Sequence, residues 1–209
     1  MTDKSAYTYV QLDVHQLGVR RGGVMVISNL SFTVKAQAAL MVSGPNGVGK
    51  TSLLRALSGL LECETGVAKL GQENLATNML HYVGHGEGLK GQLTITENLN
   101  FMFDLLGEPD EERPNIDGLL SKIGLLQQRN QMASDLSAGQ KRRAAMARLF
   151  MVPRQVWLLD EPFTALDLGG RVWLSEAVRA HCQAGGIVVA ASHEPLDFAT
   201  QYLTLEAGV

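Results

Sequence analysis

The chain has 209 residues, 45% of them hydrophobic and 19% charged, which suits one well-packed domain and excludes a disordered one. Eighteen Lys and Arg against 21 Asp and Glu leave a net charge of −3, so composition gives no drive towards nucleic acid or anionic lipid. Membrane contact is therefore expected only through partners. Cys63 and Cys182 read as reduced, buried thiols, and with five histidines (15, 81, 85, 181 and 193) they suggest no zinc, iron–sulfur or covalent haem site. Residues 1–11 lack the apolar run of a secretory signal, and the longest apolar runs are far shorter than a bilayer span.

In chain order, β-type runs are expected at 9–12, 31–34 and 39–43. A glycine loop and a helix over 52–60 follow, then a strand at 81–84. Thr94-Ile95-Thr96-Glu97 forms a capping box ahead of Leu99, Met102, Phe103 and Leu106, which fall on one helical face. An acidic, proline-punctuated loop at 107–114 leads to a second helix carrying Ile116, Leu119, Leu120 and Ile123. A third helix is expected from Ser137 to about residue 150. The runs 156–160 and 187–192 are continuously apolar and end in polar residues, as do strands buried on both faces of a sheet. The segment 86–150 thus reads as a helical subdomain inserted into an α/β core formed by 1–85 and 151–209, all one domain of 1–209.

Gly44-Pro45-Asn46-Gly47-Val48-Gly49-Lys50-Thr51 matches the phosphate-binding pattern G-x-x-x-x-G-K-[ST] and lies between an apolar run and a helix opened by Ser52. Glycines let backbone amides turn inwards around the phosphates of ATP, and the helix N-terminus adds its positive end. Lys50 supplies a point charge, and the Thr51 hydroxyl is a candidate Mg²⁺ ligand. The run 156–159 then delivers Asp160 to the end of a strand as the second Mg²⁺-holding residue. Glu161 follows it, placed to orient or deprotonate the attacking water.

With these residues in place, Leu136-Ser137-Ala138-Gly139-Gln140 resembles the Leu-Ser-Gly-Gly-Gln signature of ABC (ATP-binding cassette) ATPases, with Ala138 in place of the first glycine. Ala165-Leu166-Asp167 resembles their D-loop, and Ser192-His193 their switch histidine. The resemblance covers about 10–206. It implies a P-loop NTPase core with a mainly parallel sheet, an N-terminal antiparallel β subdomain and a helical insert. It also implies a dimer of two copies, in which Ser137, Ala138, Gly139 and Gln140 of one complete the ATP site of the other, Asp167 bridges the pair and His193 contacts the γ-phosphate. Two positions depart from the pattern. Arg21 stands where many relatives carry an adenine-stacking aromatic, so its guanidinium plane is the expected base contact, with weaker affinity. His85 stands where a glutamine usually touches Mg²⁺ and the transmembrane partner, and is the expected coupling residue.

The short length, His85, the Ala138 signature and Asp160-Glu161-Pro162-Phe163-Thr164-Ala165-Leu166-Asp167 resemble the ATP-binding subunits of bacterial cytochrome c maturation (haem) exporters. That resemblance implies transmembrane permease subunits as partners, a peripheral place on the cytoplasmic face of the inner membrane, and ATP hydrolysis coupled to haem export or release of a haem-loaded chaperone. The energy subunit of another ABC exporter shares every catalytic residue. A soluble ABC ATPase of iron–sulfur cluster assembly is a further alternative. Intact Lys50, Asp160, Glu161 and His193 argue against a binding module with a dead site. One cassette without a basic excess argues against a nucleic-acid-directed relative.

Overall fold

A computed structural model describes Tyr7, residues 9–107 and residues 112–206; residues 108–111 of the expected 107–114 loop, and most of the first eight, lie outside the described residues. The chain divides into two compact units: Met1–Gly84 with Gln155–Pro162 and Leu174–Val209, and His85–Arg154 with Phe163–Trp173.

In chain order the first unit holds β1 (Leu12–Arg21), β2 (Val24–Val34), β3 (Ala39–Ser43), α1 (Lys50–Leu57), β4 (Thr65–Leu70), β5 (Glu73–Asn74), β6 (Leu80–Val83), β7 (Val156–Asp160), β8 (Ile187–Ala191) and β9 (Gln201–Thr204). One sheet is antiparallel, in the order β2-β1-β4-β5; the other has the order β6-β7-β8-β3-β9, with every pairing parallel. Gly22 and Gly23 join β1 to β2 as a two-residue turn, and both take the positive φ (57° and 81°) that such a hairpin requires. β7 and β8 are buried at all five positions each, which explains their unbroken apolar sequences. Leu12, Val14 and Leu17 of β1, Leu40 and Val42 of β3, Leu53 and Leu54 of α1, and Leu158 and Val189 form one core. Register aligns Asp160 with Ala191 and Val42 with Ala191, so three central strands end side by side at their carboxyl termini. In open α/β sheets that edge is where ligands bind.

The second unit holds α2 (Ile95–Leu106), α3 (Ile116–Lys122), α4 (Ala138–Met146), α5 (Arg148–Met151) and the first turn of α6 (Leu168–Gln183), which ends in the first unit. Ile95, Leu99, Met102 and Phe103 pack with Leu119, Leu120 and Ile123 in its own core.

The expected α/β architecture is present, with local differences. The first strand begins where residues 9–12 were expected to end and runs ten residues; the run 31–34 is only the end of an eleven-residue β2. Helix α1 starts at Lys50 rather than 52 and ends at Leu57 rather than 60. The third expected helix divides into α4 and α5 at Ala147. Strands β4, β5 and β9 and helix α6 were not among the expected elements.

Candidate functional site

The turn between β3 and α1 is shaped by backbone conformations open only to glycine. Gly44, at φ 138°, is packed so that a Cβ would strike the carbonyl of Leu205; Gly49, at φ 112°, would bring one to 3.0 Å from the Val26 carbonyl oxygen. Gly49 is also the N-cap of α1, with no side chain capping the helix and no acid in its first turn. Amides and dipole at this end are thus set up for an anion supplied from outside the chain. Lys50, 7% exposed, lies across the loop and donates to Gly44 O at 2.7 Å and Pro45 O at 3.0 Å. Val48 instead turns its side chain into the core.

Thr51 Oγ1 donates to Asp160 Oδ1 at 3.1 Å, joining the helix start to the end of β7, and Asp160 is 2% exposed. Glu161 follows in the left-handed region, at φ 47°, an unusual conformation for a residue with a side chain and one costing on the order of 1–3 kcal/mol. It is held there by a 2.9 Å bond from its amide to Ala191 O. The Ser192 hydroxyl closes a tight turn with Glu194, accepting from its amide and donating to its carbonyl. His193 emerges from that turn with Nε2 3.3 Å from Glu161 Oε1.

These groups border a cavity of about 310 Å³ whose lining brings together Arg21, Asn46, Gly47, Gly49, Lys50, Thr51, Ser52, Glu161 and His193, joined by Val26. Nothing in the sequence pattern singled out Val26, an ordinary apolar residue of β2. The arrangement offers a cationic and amide-lined cradle, a carboxylate–hydroxyl pair and a carboxylate beside an imidazole, which together suit a nucleoside triphosphate.

The pair Thr51–Asp160 also suits Mg²⁺, which keeps several waters and takes one or two protein oxygens besides substrate phosphates. His81 and His85 do stand four residues apart, a spacing that pairs ligands on a helix. Here, however, β6 carries His81 into the interior while His85 lies exposed in the loop beyond it. Among the described residues no cluster of three or more His, Cys, Asp or Glu is arranged to hold a metal.

The remaining expected site residues lie in the second unit. Ser137 caps α4: its hydroxyl accepts from the Gln140 amide at 3.2 Å and its own amide donates to Gln140 Oε1 at 2.9 Å. Ala138 is exposed, and a Cβ on Gly139 would stand 2.8 Å from the Ala165 carbonyl oxygen. Asp167 Oδ1 accepts from the Gly170 amide at 2.8 Å, capping α6. After His85 the loop is tied down by buried Asn98, which accepts from the Lys90 amide and donates to the carbonyls of Lys90, Leu93 and Thr94. No described helix is long and apolar enough to cross a membrane.

Comparison with known proteins agrees with this chemistry. Residues 27–164 match the ABC transporter family. Cytochrome c biogenesis ATP-binding export proteins, CcmA, are 41% identical in Agrobacterium fabrum (90% of this chain, 91% of that one) and 43% identical in a Chelativorans species (95% and 100%). The fold is shared with a putative ABC transporter ATP-binding protein from Pyrococcus furiosus (TM-score 0.80, 20% identity, 93% and 97% covered). It is shared too with an ATP-binding subunit of an ABC transporter (TM-score 0.83, 20% identity, 96% and 87% covered). The chain is an ATP-hydrolysing member of the ABC transporter family, in the group of the cytochrome c biogenesis ATP-binding export proteins.

Proposed function

We propose that this ATPase powers a cytochrome c biogenesis export complex from the cytoplasmic face of the bacterial inner membrane, held there by transmembrane permease subunits. In this reading the functional form is a dimer that closes around ATP. The β3–α1 loop amides and Lys50, exchanging its loop carbonyls for phosphate oxygens, hold the triphosphate. Arg21 lies against the base. Thr51 and Asp160 hold Mg²⁺, which when bound neutralises phosphate charge. Glu161 orients the attacking water and accepts its proton, and His193, beside it, steadies the γ-phosphate. Ser137, Ala138, Gly139 and Gln140 of the second copy complete the site, Asp167 bridges the copies, and His85 carries the opening and closing to the permease.

The observation that carries this reading is the convergence of Lys50, Thr51, Glu161 and His193 on one cavity, with Asp160 bonded to Thr51 behind it. Glu161→Gln is the test. The variant is expected to bind ATP normally, lose turnover by about 100-fold or more, and accumulate as a dimer in gel filtration with ATP. Wild-type turnover in that variant removes Glu161 from its role. Purifying the tagged chain from membranes tests the transport assignment: haem-handling membrane subunits support it, and an unrelated permease ends it.

A further inference from the structure

Arg20 and Arg21 are neighbours at the end of β1, so their side chains leave opposite faces of the hairpin. Arg21 borders the cavity of Lys50 and Glu161, whereas Arg20 borders a separate hollow. The turn between the strands has little packing to steady it: residues 21–25 are exposed, and a Cβ added at Gly22 or Gly23 would meet nothing within 4 Å. Arg20 bridges that gap. Its Nη1 donates to the Gly23 carbonyl at 2.9 Å, while Nε and Nη2 donate to Glu64 Oε1 and Oε2 at 2.5 and 3.2 Å. A two-pronged pair of this kind fixes direction as well as distance. Glu64 is held in turn: its amide donates to Gly18 O at 2.9 Å, and Thr65 after it opens β4 in register with Gly18. One guanidinium thus ties the tip of the β1–β2 hairpin to the start of β4. Both partners are exposed, so the pair adds little to overall stability, and its effect falls on the placement of the tip that carries Arg21.

We propose that Arg20 is a positioning residue for nucleotide binding: joined to Glu64 and to the Gly23 carbonyl, it holds the β1–β2 turn where Arg21 can lie against the base. The brace sets the geometry of the tip before the nucleotide arrives, so less ordering is left to be done on binding. This rests on the reading of Arg21 as the base contact.

The test is calorimetric titration of the full chain with MgATP and, separately, with tripolyphosphate, which offers the phosphates without a base. Arg20→Gln and Glu64→Gln are each expected to weaken ATP about fivefold and to leave tripolyphosphate within twofold of wild type. The two variants together separate a brace from a field: a distant charge acting on the phosphates would weaken ATP in Arg20→Gln and strengthen it in Glu64→Gln. Shifts of opposite sign therefore overturn the proposal, as do an unchanged ATP affinity in either variant and an equal loss of tripolyphosphate. Arg21→Ala supplies the reference. If it leaves ATP affinity at the wild-type value, the base contact itself fails and the role of Arg20 falls with it. If it weakens ATP while Arg20→Gln and Glu64→Gln do not, the brace alone is overturned.

Discussion

Two helices of this protein begin at segments assigned to the same triphosphate, and they begin in opposite ways. Helix α1 starts at a left-handed glycine with no side-chain cap and no acid in its first turn; α4 starts at Ser137 with a complete capping box. A helix end without a cap leaves donors that cost free energy unless water or a ligand satisfies them. The first helix is therefore built to receive an anion, while the second is already satisfied by its own chain. The cradle is pre-formed in one copy; in the proposed dimer the signature segment engages from an end whose Gln140 amide is already committed to Ser137. In that proposed arrangement a bond to the ligand replaces a bond within the chain, which gives modest net affinity and suits a surface that closes and reopens.

The largest expected effect breaks the open end. Lys50→Ala removes the cation that crosses the loop and leaves the Gly44 and Pro45 carbonyls without their donor. ATP turnover should fall about 1000-fold, with weakened binding of labelled ATP. Ordinary turnover would show that the uncapped α1 amides suffice without the lysine.

How far these two helix starts could be read from sequence follows from what each depends on. The glycine loop is a run of local conformational demands, and helix starts are local hydrogen-bond patterns, so Gly44–Thr51 as a motif, the Thr94–Glu97 capping box and the helix start at Ser137 were visible in the letters, while the pairing of Ser137 with Gln140 came from the structure. β7 and β8 were visible because burial on both faces leaves only apolar residues. β1 and β2 were mostly hidden because their alternation is broken: their register shifts between Val14 and Leu17 and again around Val19, and Gln16 and Asn29 have positive φ. β9 is a four-residue edge strand with no fully buried position, too short for any period to register. Helix α6 opens with Gly169 and Gly170, which weaken its propensity signal at the point where a start would be sought. Val26 reaches the site through tertiary packing alone, and no spacing rule points to it.

Acid is the next lever, and it acts on the unit carrying α1. His181 stacks on Trp157 at 3.9 Å and bonds the Gln155 carbonyl, and burial lowers its pKa from 6.5 to about 4. Between those values the unfolded chain takes up a proton that the folded chain refuses. Stability is therefore full above pH 6.5 and falls as pH drops towards 4, by at most about 3 kcal/mol. Urea midpoints at pH 7 and 4.5 measure this, and His181→Gln should flatten the dependence. An unaltered slope in that variant would mean that other groups set the acid lability.

Ser137→Ala acts on the closed end. Loss of the cap should cost about 1 kcal/mol, read as a lowered thermal midpoint. If the same hydroxyl also serves the triphosphate of a second copy, turnover per folded molecule should fall about tenfold while a single chain's ATP affinity is unchanged. Turnover equal to wild type would reduce Ser137 to a helix cap.

That reading needs a reference for what a capping box alone is worth, and the molecule contains one. Thr94 accepts from the Glu97 amide at 3.2 Å, the same distance as between Ser137 and Gln140, and its amide donates to Glu97 Oε2 at 2.8 Å. Both boxes open helices of the same unit, but Thr94 lies in no segment assigned to ATP. Thr94→Ala should therefore lower stability by about 1 kcal/mol and leave turnover within twofold of wild type. Subtracting its effect from that of Ser137→Ala isolates what the signature serine does beyond holding its own helix. If Thr94→Ala lowers turnover as much as Ser137→Ala does, helix integrity accounts for both, and the contrast between an open and a closed helix start loses its functional meaning.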